Sequence, residues 1–294
     1  MSRFGTVLTA MVTPFDADGA LDEEAAGDLA RWLVDHGNDA LVVAGTTGES
    51  AVLTDDERVA LFRAVRAAVD VPLIAGSTTN DTAHSVEMTR AAADAGMDAI
   101  LAVVPYYNKP TQAGLDAHFR AVAAVSDLPV MLYDVPGRTG RPLATDTVVR
   151  LANEVPTIVA LKDAGGDPTR ALRVLERVPE GFEVYSGDEP LNVAFGAYGA
   201  VGVVGVATHW SAPLQQELFA AIAAGDLATA RRLDGALQAS YHFMNSDERV
   251  FSQSVKVAMG LLGVDVGECR LPLGPPPAGS DDDARAVLTD LGIL

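Results

Sequence analysis

Eight short apolar runs recur along this chain, separated by longer alanine-rich stretches of helical period, and this rhythm limits the fold more than any other feature. The runs are TVLTAMVTPF (6–15), DALVVAGTTGES (39–50), VPLIAGSTTN (71–80), DAILAVVPYYN (98–108), LPVMLYDVPGRTG (128–140), TIVALKDAGG (157–166), FEVYSGDE (182–189) and GAVGVVGVATH (199–209). Continuous apolar runs of strand length suit strands buried on both faces, the environment of a parallel sheet. Between them, segments such as DEEAAGDLARWLVDHG and TAHSVEMTRAAADAG open on acidic or Ser/Thr residues and close on glycine, which are helix start and stop signals. Strand and helix alternating in this way predict a (β/α)8 TIM barrel. An open doubly wound sheet is the competing topology, weakened because no GxGxxG phosphate loop follows the first strand.

After residue 210 the strand-like runs stop. Residues 211–263 carry a helical pattern, LPLGPPPAGSDDD (271–283) reads as a loop, and a last short helix follows. The expected division is a barrel over 1–224, carrying the active site, and a C-terminal helical extension over 225–294. With 294 residues, 49% of them apolar, the chain has material for a core of this size. A net charge of −19 argues against nucleic acid as a partner, since little is available to neutralise phosphates. The single cysteine, Cys269, excludes an internal disulfide framework, and the five histidines lack metal-ligand spacing, so no metal and no cofactor is expected. No apolar run reaches the length of about 18 residues that a membrane span needs. The N-terminus MSRFGTVLTA also lacks a signal peptide's apolar stretch, so the cytoplasm is the expected compartment.

A barrel of this type collects its active site at the C-terminal ends of its strands. There the sequence places Gly45-Thr46-Thr47-Gly48-Glu49-Ser50 after strand 2, Tyr106-Tyr107-Asn108 after strand 4, and Tyr133 with Gly137-Arg138-Thr139 at strand 5. Strand 6 ends on Lys162 and strand 7 on Ser186-Gly187-Asp188. Lysine is scarce, at positions 109, 162 and 256 only, yet one directly follows the apolar run Ile158–Leu161. A neutral amine in a dry pocket attacks a carbonyl and forms a Schiff base, whose iminium acidifies the neighbouring carbon. Tyr133 is a candidate proton shuttle, the Thr46-Thr47 turn a candidate carboxylate cradle, and Arg138 a fork for a second carboxylate. Plainer readings stand beside these. Lys162 can lie with its stem on apolar surface and its amine in water, Tyr106 and Tyr107 can be rim aromatics, GTTGES a capped turn, and Arg138 the partner of a surface acid. Lys109, in a polar NKPTQ loop, and Lys256, in a helical segment, read as structural.

The pieces GTTGES, PYYNKP, YDVPGRTG, LKDA and YSGD, in this order, resemble the pyruvate-dependent class I aldolase family of N-acetylneuraminate lyase and dihydrodipicolinate synthase. The resemblance extends from TAMVTPF to RLPL. It implies condensation of pyruvate with L-aspartate 4-semialdehyde, Lys162 as the Schiff-base lysine, and Tyr133 as proton donor and acceptor in a relay with Thr46 and Tyr107. By the same resemblance Tyr107 enters from the neighbouring subunit of a tight dimer, within a homotetramer. Thr47 then meets the pyruvate carboxylate, Gly187 and Val204 line the substrate site, and Arg138 receives the semialdehyde's carboxylate. Two alternatives remain at this stage: a related aldolase acting on a sugar acid, and a non-catalytic barrel that binds a keto acid.

Overall fold

Alternate residues of each strand face two different cores, and this two-sided burial closes the sheet. The structure, a computed structural model, describes residues 2–244, 246 and 248–294. Its strands are β1 Val7–Ala10, β2 Ala40–Val43, β3 Leu73–Ala75, β4 Ala99–Val103, β5 Val130–Asp134, β6 Ile158–Asp163, β7 Glu183–Ser186 and β8 Gly202–Gly205. Leu8, Ala10, Val42, Ile74, Leu101, Met131, Tyr133, Ala160, Tyr185 and Val204 pack together as one apolar cluster. The residues between them, such as Leu41, Leu73, Ile100, Leu132, Leu161 and Val184, join a second cluster with the surrounding helices. A period of two thus fills the barrel interior with one set and the strand–helix layer with the other. All pairings are parallel, and β1 pairs with both β2 and β8, so the sheet is a closed barrel and not the open alternative.

The helices are α1 Glu23–Asp35, α2 Asp55–Ala68, α3 Thr82–Asp94, α4 Gln112–Ala123, the single turn α5 Pro136–Thr139, α6 Thr145–Glu154, α7 Thr169–Leu175, α8 Asn192–Ala197, α9 Thr208–Ala223, α10 Leu227–Met244, α11 Phe251–Leu261 and α12 Ser280–Asp290. Side-chain oxygens start several of them. Asp22, Asp81 and Thr111 accept backbone N–H bonds at the heads of α1, α3 and α4, and Thr54 and Glu57 form a capping box on α2. Such caps contribute about 1 kcal/mol each. One expectation is corrected. The segment 271–283 is not all loop, because α12 begins at Ser280 and Asp281, Asp282 and Asp283 form its first turn. Three aspartates read as turn-formers, but they are favourable where a helix's N-terminal N–H groups present partial positive charge.

The C-terminal helices are fastened to the barrel by buried polar contacts. Trp210 donates to Ser240 at 3.0 Å, and Gln215 to the Tyr241 hydroxyl at 3.1 Å. Ser252 donates to the Thr47 carbonyl at 2.8 Å, and Arg270 grips Glu57 at 2.5 and 3.0 Å. Lys256, 6% exposed, lies 3.1 Å from Glu49 and donates to the Glu268 carbonyl at 2.8 Å. It is the structural lysine that its helical context suggested.

At the C-terminal ends of β5 and β6, Asp134 and Asp163 are register partners that face outward, fully buried. Arg170 of α7 reaches both, at 2.5 Å and 3.4 Å, and also donates to the Leu143 carbonyl. Burial pushes both carboxyls up in pKa and the guanidinium draws them back. Removing one member of a buried ion cluster leaves the others uncompensated. Arg170→Met should therefore destabilise the protein by about 3–5 kcal/mol, seen as a lower urea midpoint at unchanged slope. A loss below about 1 kcal/mol, the range of surface pairs, would show that the β5 and β6 ends do not depend on this clamp.

Candidate active site

Lys162 is two residues beyond Ala160 on β6, so it shares that residue's inward orientation. It is 5% exposed, and its Nζ sits 4.4 Å from the centroid of the Tyr133 ring. Tyr133 is its register partner on β5, again two residues beyond an interior side chain, Met131. A leucine at position 162 would contribute about 2 kcal/mol by burial, whereas an amine there opposes folding unless it is neutral or paired. Burial lowers the Lys162 amine to about 8, from an ordinary 10.5; the Glu189 carboxylate opposes that fall and Arg138 adds to it. The reading of Lys162 as a surface snorkeller does not fit a side chain this enclosed.

Burial also pushes the Tyr133 phenol up, while the nearby Thr46 side chain and the Arg138 charge draw it back. Thr46 and Thr47 lie in the loop after β2, which ends at Val43. Ala44 and Glu49 both take positive φ, at 56° and 55°, and bound a tight turn. A Cβ on Gly48 would stand 2.9 Å from the Met11 carbonyl, so only glycine fits that approach, and Thr13 donates to the Gly48 carbonyl at 2.6 Å. Thr47 is buried and Thr46 exposed. Glu49, 4% exposed, anchors the loop from behind through Lys256 and the Arg270 N–H.

Arg138 lies on α5, the single turn after β5, with its guanidinium 4.6 Å above the Phe251 ring of α11. It helps line a cavity of about 310 Å³ together with Thr46, Thr78, Val103, Tyr106, Val135, Pro272 and Leu273. Lys162 is not among the lining residues; Tyr133 links it to them through Thr46 and Arg138. A larger cleft, about 950 Å³, is lined by Asp16, Asp22, Glu24, Asp28, Asp265 and Glu268 around Phe15 and Trp32 and offers no amine or phenol. The smaller cavity is the one joined to the chemistry. Tyr107 is not brought to it within this chain: β4 ends at Val103, and Tyr107 stands in the following loop at φ 71°, 88% exposed.

Val204 on β8 is 1% exposed and belongs to the same interior cluster as Tyr133. Gly187 follows β7 directly. Two residues were not singled out in the sequence. Glu189 is one of forty acids, and Phe251 comes from a helix far along the chain; only its position at the head of an apolar helix, just after Glu248 and Arg249, marks it locally. A Cβ on Gly187 would meet the Lys162 Cγ at 3.0 Å, its Cε at 3.1 Å and the Ala164 Cβ at 3.0 Å. Glycine there leaves the lysine stem its channel. Gly187→Ala should keep the fold and slow reductive alkylation of Lys162 by a small carbonyl probe about tenfold or more, through overpacking of about 1–3 kcal/mol. An unchanged alkylation rate would show that the stem has room to shift.

Comparison with known proteins agrees with this geometry. A model of the Dihydrodipicolinate synthetase family matches residues 3–290. The chain is 44% identical over 296 residues to a 4-hydroxy-tetrahydrodipicolinate synthase of Moorella thermoacetica, covering 99% of this chain and 100% of that protein. It is 46% identical over 297 residues to the enzyme of that name from Corynebacterium aurimucosum, covering 100% of this chain and 97% of the other. In structure it resembles DHDPS from Cyanidioschyzon merolae, solved with lysine bound, at a TM-score of 0.96 and 39% identity, with both chains covered in full. A closed barrel, an enclosed lysine at the end of β6 and a match along nearly the whole chain lead to one conclusion: this protein belongs to the dihydrodipicolinate synthetase family.

Proposed function

We propose that this protein condenses pyruvate with L-aspartate 4-semialdehyde to 4-hydroxy-tetrahydrodipicolinate, in the route to lysine and diaminopimelate, through a Schiff base on Lys162. The observation that carries the reading is the buried Lys162 amine beside Tyr133 at the barrel mouth. The neutral amine adds to the pyruvate ketone, water leaves, and the resulting iminium draws electrons from the methyl carbon. Loss of a proton there gives an enamine, which attacks the semialdehyde's aldehyde carbon. The second substrate's own amine then displaces Lys162 and closes the ring. Tyr133 carries protons to and from the reacting oxygen, with Thr46 as its neighbour in the relay. Thr47 receives the pyruvate carboxylate, Gly187 and Val204 shape the pocket, and Arg138 pairs with the semialdehyde carboxylate. Phe251 beneath the guanidinium holds that fork in place.

Tyr107 completes the relay from a second copy. Its 88% exposure beside the barrel mouth, on a loop after β4, supports a role outside its own chain. The assembly we propose is a dimer within a homotetramer, working in the cytoplasm. No helix among the described residues is long and apolar enough to cross a membrane.

Borohydride reduction in the presence of pyruvate should leave one reduced pyruvyl group on Lys162, located by peptide mass spectrometry. Its rate should climb about tenfold per pH unit below about 8 and level off above, because the amine is lowered to about 8. An adduct on Lys109 or Lys256, or a rate still climbing toward 10.5, would contradict the assignment. Arg138→Ala should leave pyruvate trapping intact while turnover with semialdehyde falls roughly 100-fold, the loss expected of a charge-assisted bidentate contact. Equal loss of both would make Arg138 a structural residue. Mixing inactive Tyr107→Phe and Lys162→Ala proteins under subunit exchange should restore part of the activity, since one site of each mixed dimer receives both native residues. No recovery, with exchange measured separately, would mean that each site is complete within one chain.

A further inference from the structure

Three consecutive residues at the head of α11, Phe251, Ser252 and Gln253, each hold a different wall of the candidate site. Phe251 lies under the Arg138 guanidinium. Ser252, 3% exposed, donates from its hydroxyl to the Thr47 carbonyl at 2.8 Å. The Gln253 Nε2 stands 3.0, 3.2 and 2.9 Å from the carbonyls of Leu273, Gly274 and Pro275, in the loop whose Pro272 and Leu273 line the cavity. The helix that carries them is itself fixed, because Ser254 donates to the Phe243 carbonyl of α10 at 3.0 Å. One turn on from Ser252, on the same face of α11, Lys256 pairs with Glu49 at 3.1 Å. The helix therefore meets the threonine turn at two points.

The bond from Ser252 acts on backbone orientation. A trans peptide points its C=O and its N–H in opposite directions, so whatever takes a carbonyl also aims the amide that follows. Within the turn, the Gly45 carbonyl accepts the Ser50 N–H at 3.3 Å and the Thr46 carbonyl accepts the Glu49 N–H at 3.2 Å. The N–H groups of Thr46 and Thr47 therefore point away from those bonds, and successive amides turned this way suit a carboxylate. The next two carbonyls are held from outside the turn. Gly48's accepts the Thr13 hydroxyl at 2.6 Å, and Thr47's accepts the Ser252 hydroxyl. The β1 side is also fixed by close contact, since Gly48 packs on the Met11 carbonyl with no room for a Cβ. On the α11 side the hold on the turn's backbone is the Ser252 hydroxyl.

We infer that Ser252 is a positioning residue of this reaction: its hydroxyl, fixed on α11, holds the Thr47 peptide so that the Thr46-Thr47 turn meets the pyruvate carboxylate in one orientation. The inference rests on the reading of Lys162 and Thr47 proposed above. Without the hydroxyl, the peptide between Thr47 and Gly48 is free to rotate and takes the turn with it. Carboxylate binding then weakens, while the amine keeps its place because Lys162 is carried by β6.

Ser252→Ala removes the hydroxyl and keeps a good helix former. In borohydride trapping, followed on the Lys162 peptide by mass spectrometry, half-saturation by pyruvate should rise about fivefold, as the net contribution of one hydrogen bond implies. The plateau rate and the circular dichroism should stay native. Trapping of acetaldehyde, which reaches the amine without a carboxylate, should also keep its native rate. A folded variant with native half-saturation by pyruvate overturns the inference alone. Equal weakening with both carbonyl probes makes Ser252 a structural residue and overturns it as well. Native protein that traps no pyruvate on Lys162 overturns the Schiff-base reading and this inference with it. If the alanine variant does not fold, Ser252→Cys supplies a weaker donor of similar shape. Native half-saturation in that variant overturns the inference, and a rise for pyruvate without a loss for acetaldehyde supports it.

Discussion

Burial on both faces of a closed sheet leaves each strand-end residue only two directions to point, and the rest of this molecule follows from that choice. On β6, Ala160 and Lys162 point inward while Leu161 and Asp163 point to the helices. On β5, Met131 and Tyr133 point inward, and Leu132 and Asp134 outward. Because Tyr133 and Lys162 are register partners, the same pairing that builds the sheet sets the phenol beside the amine. The outward aspartates, one position later, are joined by Arg170. The chemistry inside and the clamp outside are thus consecutive residues on the same two strands.

The interior supplies the electrostatics. An apolar barrel costs a charge most where it is driest, so burial lowers the amine to about 8 and raises the phenol above its ordinary value. Both shifts suit a nucleophile and a proton carrier. Glu189 and Arg138 act on the amine in opposite senses, the carboxylate favouring its charge and the guanidinium opposing it. The reactivity of Lys162 is a balance between desolvation and these two fixed charges.

The C-terminal helices belong to the site as much as to the fold. Phe251 supports Arg138, Pro272 and Leu273 wall the cavity, and Lys256 and Arg270 hold Glu49 behind the threonine loop. A segment that reads as an extension of the barrel therefore shapes where a substrate would lie. Ser252, donating to the Thr47 carbonyl, ties the same helix to the turn proposed to receive a carboxylate.

Much of this is local and can be read along the chain. The apolar runs with period two, the capping residues and the lysine after Ile158–Leu161 all act over a few neighbours, so eight strands, their helices and the placement of Lys162 and Tyr133 at strand ends were legible in the sequence. What was not legible depends on residues far apart. Among forty acids nothing marks Glu189 until the β7–β8 region folds its oxygen onto Val206 and Ala207. Asp281–Asp283 looked like a loop because a run of acids has helical value only at a helix head. Tyr107, which spacing places at a strand end, is turned outward by the loop after β4, and only that loop's path decides that it does not reach its own barrel's cavity. The sequence by itself determined which residues face inward, since a strand's alternation is covalent geometry; only the tertiary structure decided which of them share a charge, because electrostatic partners meet through packing and not through spacing.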